Sequence, residues 1–272
     1  MVDRRPIVTS AATAFTPATT ANSVRGPGSI RHGLPRRWRF IREAVERRGM
    51  EEYEVSEFLE SFATALGPES DEIIDEMGAQ ARREGFPYVG PAVGGWLAMC
   101  ARFADAERVF EFGSGFGYSA TWFLRGGAEA VICTEFDADE AERGVRFAAD
   151  GGYADRVTFE VGDAMETIER YDGPFDIALI DHQKSRYAEA YRTVLPKVRT
   201  GGVIVADNIT RGPIDFADLV AHFEEGAPLP DPERDGETRG IGEYVGAVRS
   251  DDAVETAILP VGSGIAVSTK VA

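Results

Sequence analysis

Val109-Phe110-Glu111-Phe112-Gly113-Ser114-Gly115-Phe116-Gly117-Tyr118-Ser119 is the stretch on which the fold turns. It starts as a short β-type run, passes through three glycines spaced two apart, and continues into a helical pattern. Glycines at a strand-to-helix turn let the backbone approach a ligand closely and leave helix N–H groups facing it. The other reading of the stretch is a tight structural turn. The dinucleotide pattern G-x-G-x-x-G is not met, because Gly117 is followed by Tyr118 and Ser119. Glu111, two residues ahead of the first glycine, would repel a pyrophosphate but could help position a cationic ligand such as a sulfonium amino acid.

Working outward, strand-like runs fall at 109–112, 131–136, 157–161, 175–181 and 203–206, with helical stretches near 118–125, 138–150, 164–171 and 185–198. That alternation predicts right-handed βαβ units and a Rossmann-like, doubly wound, mostly parallel α/β sheet. Runs at 256–261 and 264–269 flank a Gly-Ser turn and predict a C-terminal antiparallel hairpin. Ahead of the sheet, residues 36–87 read as N-terminal helices. One of them starts at Ser70 or Asp71 and stops at Gly85, and a further helix spans 90–103. Residues 1–35, rich in Ala, Thr, Ser, Pro and Gly without period, read as a disordered prefix, and 88–272 as the ligand-binding domain. An organelle transit peptide, and a true start at Met50, are alternative readings of the prefix.

The net charge of −17 is unevenly spread: ten Arg and three acids lie in residues 1–49, while the rest carries net −24. So acidic a body disfavours nucleic acid or an anionic membrane as partner. Only three lysines occur, and acid-rich, lysine-poor surfaces suit concentrated salt, so a halophilic source is one hypothesis; an acidic protein from a GC-rich genome is the other. Cys100 and Cys133 sit in apolar runs without metal or disulfide spacing, which predicts two buried free thiols and a cytoplasmic location. No run approaches a membrane span.

Two constellations carry chemistry. Glu135 ends the second strand 20 residues after Gly115, where an acid meets the two hydroxyls of a ribose. Gly162-Asp163-Ala164 follows the third strand and could border an adenine, or Asp163 could simply cap a helix. The fourth strand runs into Asp181-His182-Gln183-Lys184 and the fifth into Ala206-Asp207-Asn208. Asp181, Asp207 and Asn208 would bring three hard oxygen ligands to the ends of neighbouring strands, a set suited to Mg²⁺ or another divalent cation. A cap or turn role is the alternative for each acid taken alone.

From about Tyr88 to Lys270 the chain resembles the metal-dependent class I methyltransferases related to catechol O-methyltransferase and caffeoyl-CoA O-methyltransferase. The resemblance rests on Val89-Gly90 with Gly94, Glu111 to Ser119, Glu135, residues 162–164, Asp-His-Gln-Lys at 181–184 and Ala-Asp-Asn at 206–208. It implies a seven-stranded sheet and S-adenosylmethionine as cofactor. By that resemblance Glu111, Gly113, Ser114 and Ser119 would contact the methionine part of the cofactor, Glu135 the ribose, and Asp163 and Ala164 the adenine, with Val89, Gly115 and Asp181 also in the cofactor site and Asp181 catalytic as well. Asp181, Asp207 and Asn208 would bind metal, with Lys184 as general base. The family's late acid that grips a second hydroxyl has two candidates, Glu224 and Glu237, and 226–239 reads as an acidic, Pro-rich insertion. His182 is expected to shape the pocket, His32 and His222 to lie at the surface, and Trp96 and Trp122 to be core.

The expected partner is a small hydroxylated molecule, with no nucleic acid and no membrane, and a homodimer left open. The competing functions are a tRNA methyltransferase of the same architecture, an NAD-type oxidoreductase, and a silent ligand-binding scaffold.

Overall fold

The computed structural model describes residues 60–272. The expectations for residues 1–35, His32, and the helical spacing from Tyr53 through Leu59 lie outside them. Helix α1 (Glu72–Glu84) starts where Asp71, not Ser70, accepts a hydrogen bond from Ile74 N at 3.0 Å. It ends at Gly85, whose φ of 66° releases the chain. Acids in its first turn and Arg82 and Arg83 in its last oppose the partial charges of the helix ends. Its apolar face, Ile73, Ile74, Met77 and Ala81, is buried.

The rest alternates as the pattern predicts: α2 (Gly90–Ala104), β1 (Arg108–Phe112), α3 (Tyr118–Gly126), β2 (Ala130–Glu135), α4 (Ala138–Asp150), β3 (Val157–Val161), α5 (Ala164–Ile168), β4 (Phe175–Ile180), α6 (Tyr187–Val194) and β5 (Val198–Ala206). Then come α7 (Phe216–Glu225), α8 (Pro232–Ser250), β6 (Val254–Leu259) and β7 (Ile265–Lys270). The seven strands are ordered β3-β2-β1-β4-β5-β7-β6, with β7 antiparallel to both neighbours. Successive side chains of a strand face opposite ways. One face therefore carries Val109, Cys133, Ile177, Leu179 and Val205 into one core, and the other carries Phe110, Phe112, Ala178, Ile180 and Ile204 into a second. Burial on both faces is why β1 and β4 read as nearly continuous apolar runs. Both cysteines are buried free thiols. Among the described residues no helix is long and apolar enough to cross a membrane.

Several expectations need correcting. Within the acidic, Pro-rich stretch 226–239 a helix begins: Asp231 accepts from Glu233 N at 2.9 Å and starts α8 with Pro232 in its first turn. Asp235 breaks the helical dihedrals inside it (φ −157°), and Gly236, Gly240, Gly242 and Gly246 dilute the apolar period that would have announced a helix. Helix α7 was likewise not anticipated. Trp122 is core, but Trp96 is 41% exposed on the outer side of α2. His222 is half-buried at the surface, with Nδ1 2.6 Å from Ala227 O beyond the end of α7.

Candidate functional site

The chain switches direction between β1 and β4, which are adjacent in the sheet although three strands apart in sequence. Ligands of open α/β sheets sit outside the carboxyl ends of the strands at such a switch. Register places the candidate residues there together: Phe112 is level with Ile180 and Thr134, and Ile180 with Ala206. The residues that follow these positions, Gly113, Glu135, Asp181 and Asp207, therefore converge on one rim. A cavity of about 990 Å³ opens at that rim. It is lined by Val89, Gly113, Ser114, Gly115 and Ser119, by Glu135, Asp163 and Ala164, and by Asp181, Lys184, Asp207 and Asn208.

Gly113 has φ of 80°, and a Cβ there would stand 2.8 Å from Asp181 O, so only glycine lets the first loop lie against the fourth strand's end. Glu135 is held before any ligand arrives. Gly115 N donates to its Oε2 at 2.8 Å and Asp137 N to its Oε1 at 3.0 Å. Asp163 is a helix cap that also faces the cavity. It caps α5 by accepting from Met165 N at 2.7 Å, and pairs with Arg186 Nη1 at 2.7 Å, which lowers its pKa.

Glu111 differs from expectation. It is fully buried and does not line the cavity; Ser119 Oγ donates to its Oε1, and Ser119 is what faces the ligand space. Burial pushes the Glu111 carboxyl up to about 8, with the Ser119 hydrogen bond opposing and the charges of Asp181 and Glu135 adding to the rise. Between an unfolded value of about 4.3 and about 8 the folded chain thus holds a proton that the unfolded chain has released, so stability falls as pH rises through that window. Glu111→Gln keeps the acceptor for Ser119 and should remove this contribution, up to about 1.4 kcal/mol per pH unit within the window. Melting curves from pH 5 to 9 should show the variant losing less stability than the wild type; parallel losses would refute a protonated Glu111.

At the other end of the cavity Asp181 Oδ1 accepts from Lys184 Nζ at 3.0 Å and from Tyr187 OH at 3.4 Å. Asp207 is only 4% exposed and its Oδ1 is buried without a hydrogen-bond partner. Burial and the neighbouring Asp181 charge push its carboxyl up to about 8, and burial also raises Asp181 against the pull of Lys184. Asn208 sits at φ 59°, a left-handed conformation that asparagine tolerates better than most residues, with Nδ2 donating to Arg211 O at 3.3 Å. The three lysines differ in role. Lys197 and Lys270 each donate to two backbone carbonyls, whereas Lys184 alone lines the cavity.

The His182 ring lines the cavity as expected. It lies nearly parallel to Tyr187 at 5.6 Å, and burial, with Arg186 and Lys184 adding, lowers its pKa to about 4. Of the two late acids, Glu237 lines the cavity and Glu224 is exposed on α7 away from it. Sequence reasoning missed Tyr187, buried beneath Asp181, and Phe136, 79% exposed at the cavity edge beside Glu135. A phenylalanine straight after the acid that ends the second strand was a usable signal; Tyr187, reached through a 3₁₀ turn at 184–186, offered none.

A family model described as a methyltransferase domain matches residues 110–209. Catechol O-methyltransferase of Niastella koreensis is 30% identical over 154 residues, covering 54% of this chain and 69% of that protein. The chain belongs to the class I S-adenosylmethionine-dependent O-methyltransferases. Within that family, catechol O-methyltransferase of Mycobacterium tuberculosis is 35% identical over 136 residues, 47% of this chain; the match spans 62% of that protein's length. The O-methyltransferase TomG from Streptomyces achromogenes, solved in complex with SAM, has the same fold, with a TM-score of 0.70 at 23% identity over 82% of this chain and all of that one. An NAD-type oxidoreductase is thereby set aside.

Glu135 lines the cavity and is the candidate for the ribose end of a bound cofactor. Glu135→Ala should weaken S-adenosylmethionine binding by about 1.5–3 kcal/mol, the range for a hydrogen bond to a charged group, and leaves Gly115 N without its acceptor. Calorimetry giving an unchanged Kd would remove Glu135 from the site.

Proposed function

We propose that this protein transfers a methyl group from S-adenosylmethionine to a hydroxyl of a small, catechol-like acceptor, with a divalent cation held by Asp181, Asp207 and Asn208. The observation that carries the metal is the Asp181–Asp207 pair. The two carboxylates stand at the ends of adjacent strands, burial and then the Asp181 charge raise the proton affinity of Asp207, and one buried oxygen has no partner. Among the described residues no three His, Cys, Asp or Glu side chains cluster as a cage. Two carboxylates and an amide nevertheless suit Mg²⁺, which keeps positions for water and substrate oxygens.

When bound, the cation supplies positive charge that favours the ionised form of an adjacent phenol, whose unperturbed pKa is about 10. The chain's own residues do the rest. Lys184, with Nζ 3.0 Å from Asp181, stands where its amine, once it has released its own proton to solvent, can accept the hydroxyl proton. Ser119 and Glu135 orient the cofactor space at its two ends so that oxygen and methyl meet in line. The acceptor oxygen gains the methyl, and the S–CH₃ electron pair stays on sulfur, neutralising the sulfonium. Seven acids line the cavity against the single cation Lys184, which favours a neutral or cationic acceptor over nucleic acid.

The deciding experiment incubates the protein with labelled S-adenosylmethionine, Mg²⁺ and a panel of catechols, acyl-CoA esters and tRNA. Label should pass to catechols; label passing only to tRNA or to thioesters would overturn the substrate assignment.

A further inference from the structure

We propose that Glu237 is a positioning residue whose carboxylate clamps the main chain of the 184–186 turn and thereby sets where Lys184 Nζ stands. The inference rests on Lys184 acting in methyl transfer, and it differs from a role for Glu237 in gripping the acceptor. Both oxygens of Glu237 face the turn. Lys184 N donates to Oε2 at 2.6 Å and Ser185 Oγ to Oε1 at 3.4 Å. A short bond from a backbone N–H to a carboxylate is of the stronger, charge-assisted kind, and the half-buried setting shields it from solvent.

The backbone around Glu237 is built for this contact. One helical turn on, a Cβ at Gly240 would stand 2.2 Å from Lys184 O and 2.4 Å from Ser185 Cα. Glycine at 240 therefore lets α8 lie directly on the turn. Glu237 is itself fixed by the local break in α8: Asp235 accepts from Thr238 N at 2.9 Å, and the buried Thr238 hydroxyl accepts from Asp215 N at 2.7 Å. The kink at Asp235 thus restarts the helix two residues before Glu237. On the other side of the turn, Lys184 Nζ reaches Asp181 Oδ1 at 3.0 Å and His182 O at 3.1 Å. With its main chain held by α8 and its side chain held by the end of β4, Lys184 has little freedom left.

The test combines exchange and kinetics on the full chain. Backbone amide exchange at Lys184 should speed up by about tenfold or more in Glu237→Ala, because the N–H loses its acceptor. Glu237→Gln, which keeps an acceptor oxygen, should restore most of the protection. With pyrocatechol as acceptor, Glu237→Ala should lower kcat by about 10–100-fold, part of the loss expected for a general base, with KM changed less than about twofold. In a Lys184→Ala background the same substitution should change kcat/KM by less than about twofold, since residues acting as one unit are non-additive. Unchanged exchange at Lys184, or an equal loss in both backgrounds with raised KM, would overturn the clamp and support substrate gripping. If Glu237→Ala does not fold, Glu237→Gln decides: raised KM with wild-type exchange counts against the proposal. A wild type inactive on pyrocatechol would refute the acceptor assignment alone, and the exchange result would still decide the role of Glu237.

Discussion

Chelation with EDTA is expected to abolish methyl transfer and added Mg²⁺ to restore it, with Asp207→Ala reproducing the chelated state permanently. An ion that takes one or two carboxylates from the protein loses half or more of that charge when Asp207 goes. The fold should not suffer with the activity. Asp207 is a buried carboxylate with an unpartnered oxygen beside a second carboxylate, and such a group costs stability unless a cation compensates it. Asp207→Asn should therefore melt at or above the wild-type temperature in the absence of metal while remaining inactive. Because the pair holds a proton up to about pH 8, metal must displace it, and metal affinity should rise as pH increases toward that value. Full turnover in EDTA would end the metal-centred mechanism and leave the methyltransferase fold untouched.

Lys184→Ala should lower kcat by about 10²–10⁴-fold, the range for a lost general base. S-adenosylmethionine affinity should stay close to the wild type, since Lys184 approaches Asp181 and His182 O rather than the Glu135 end of the cavity. The variant should recover part of its rate as pH rises, when solvent base or spontaneous ionisation of the phenol replaces the lysine. A pH–rate profile of unchanged shape, scaled down by a constant factor, would mean that Lys184 shapes the site without accepting the proton.

The substrate is where the sequence is least informative. The glycine loop, Asp181 and Asp207 follow directly on strands, Glu135 ends one, and Asn208 and Lys184 lie within four residues of a strand end, so the β-then-turn pattern places them by local chemistry. Parallel pairing with the strands in register then carries them to one rim. That is why the candidate site was legible: its residues sit where sequence period changes, and a change of period is visible in a single chain.

What the sequence by itself determined is the alternation of strands and helices as far as β5, the terminal hairpin, the loop chemistry at the strand ends and the acidic character of the body. Those follow from nearest-neighbour preferences and from charge. Only the tertiary structure decided which side chains face the ligand space. Glu111 and Ser119 lie eight residues apart in one motif, yet burial of β1 on both faces turns Glu111 inward and leaves Ser119 to line the cavity. Glu237 is 53 residues from Lys184, on a helix whose glycines mask its period, and no local signal distinguishes it from Glu224. The choice between the two was made by α8 packing against the 184–186 turn through Gly240. A contact of that kind depends on the absence of a side chain at one point and its presence at another, and spacing along the chain does not encode it.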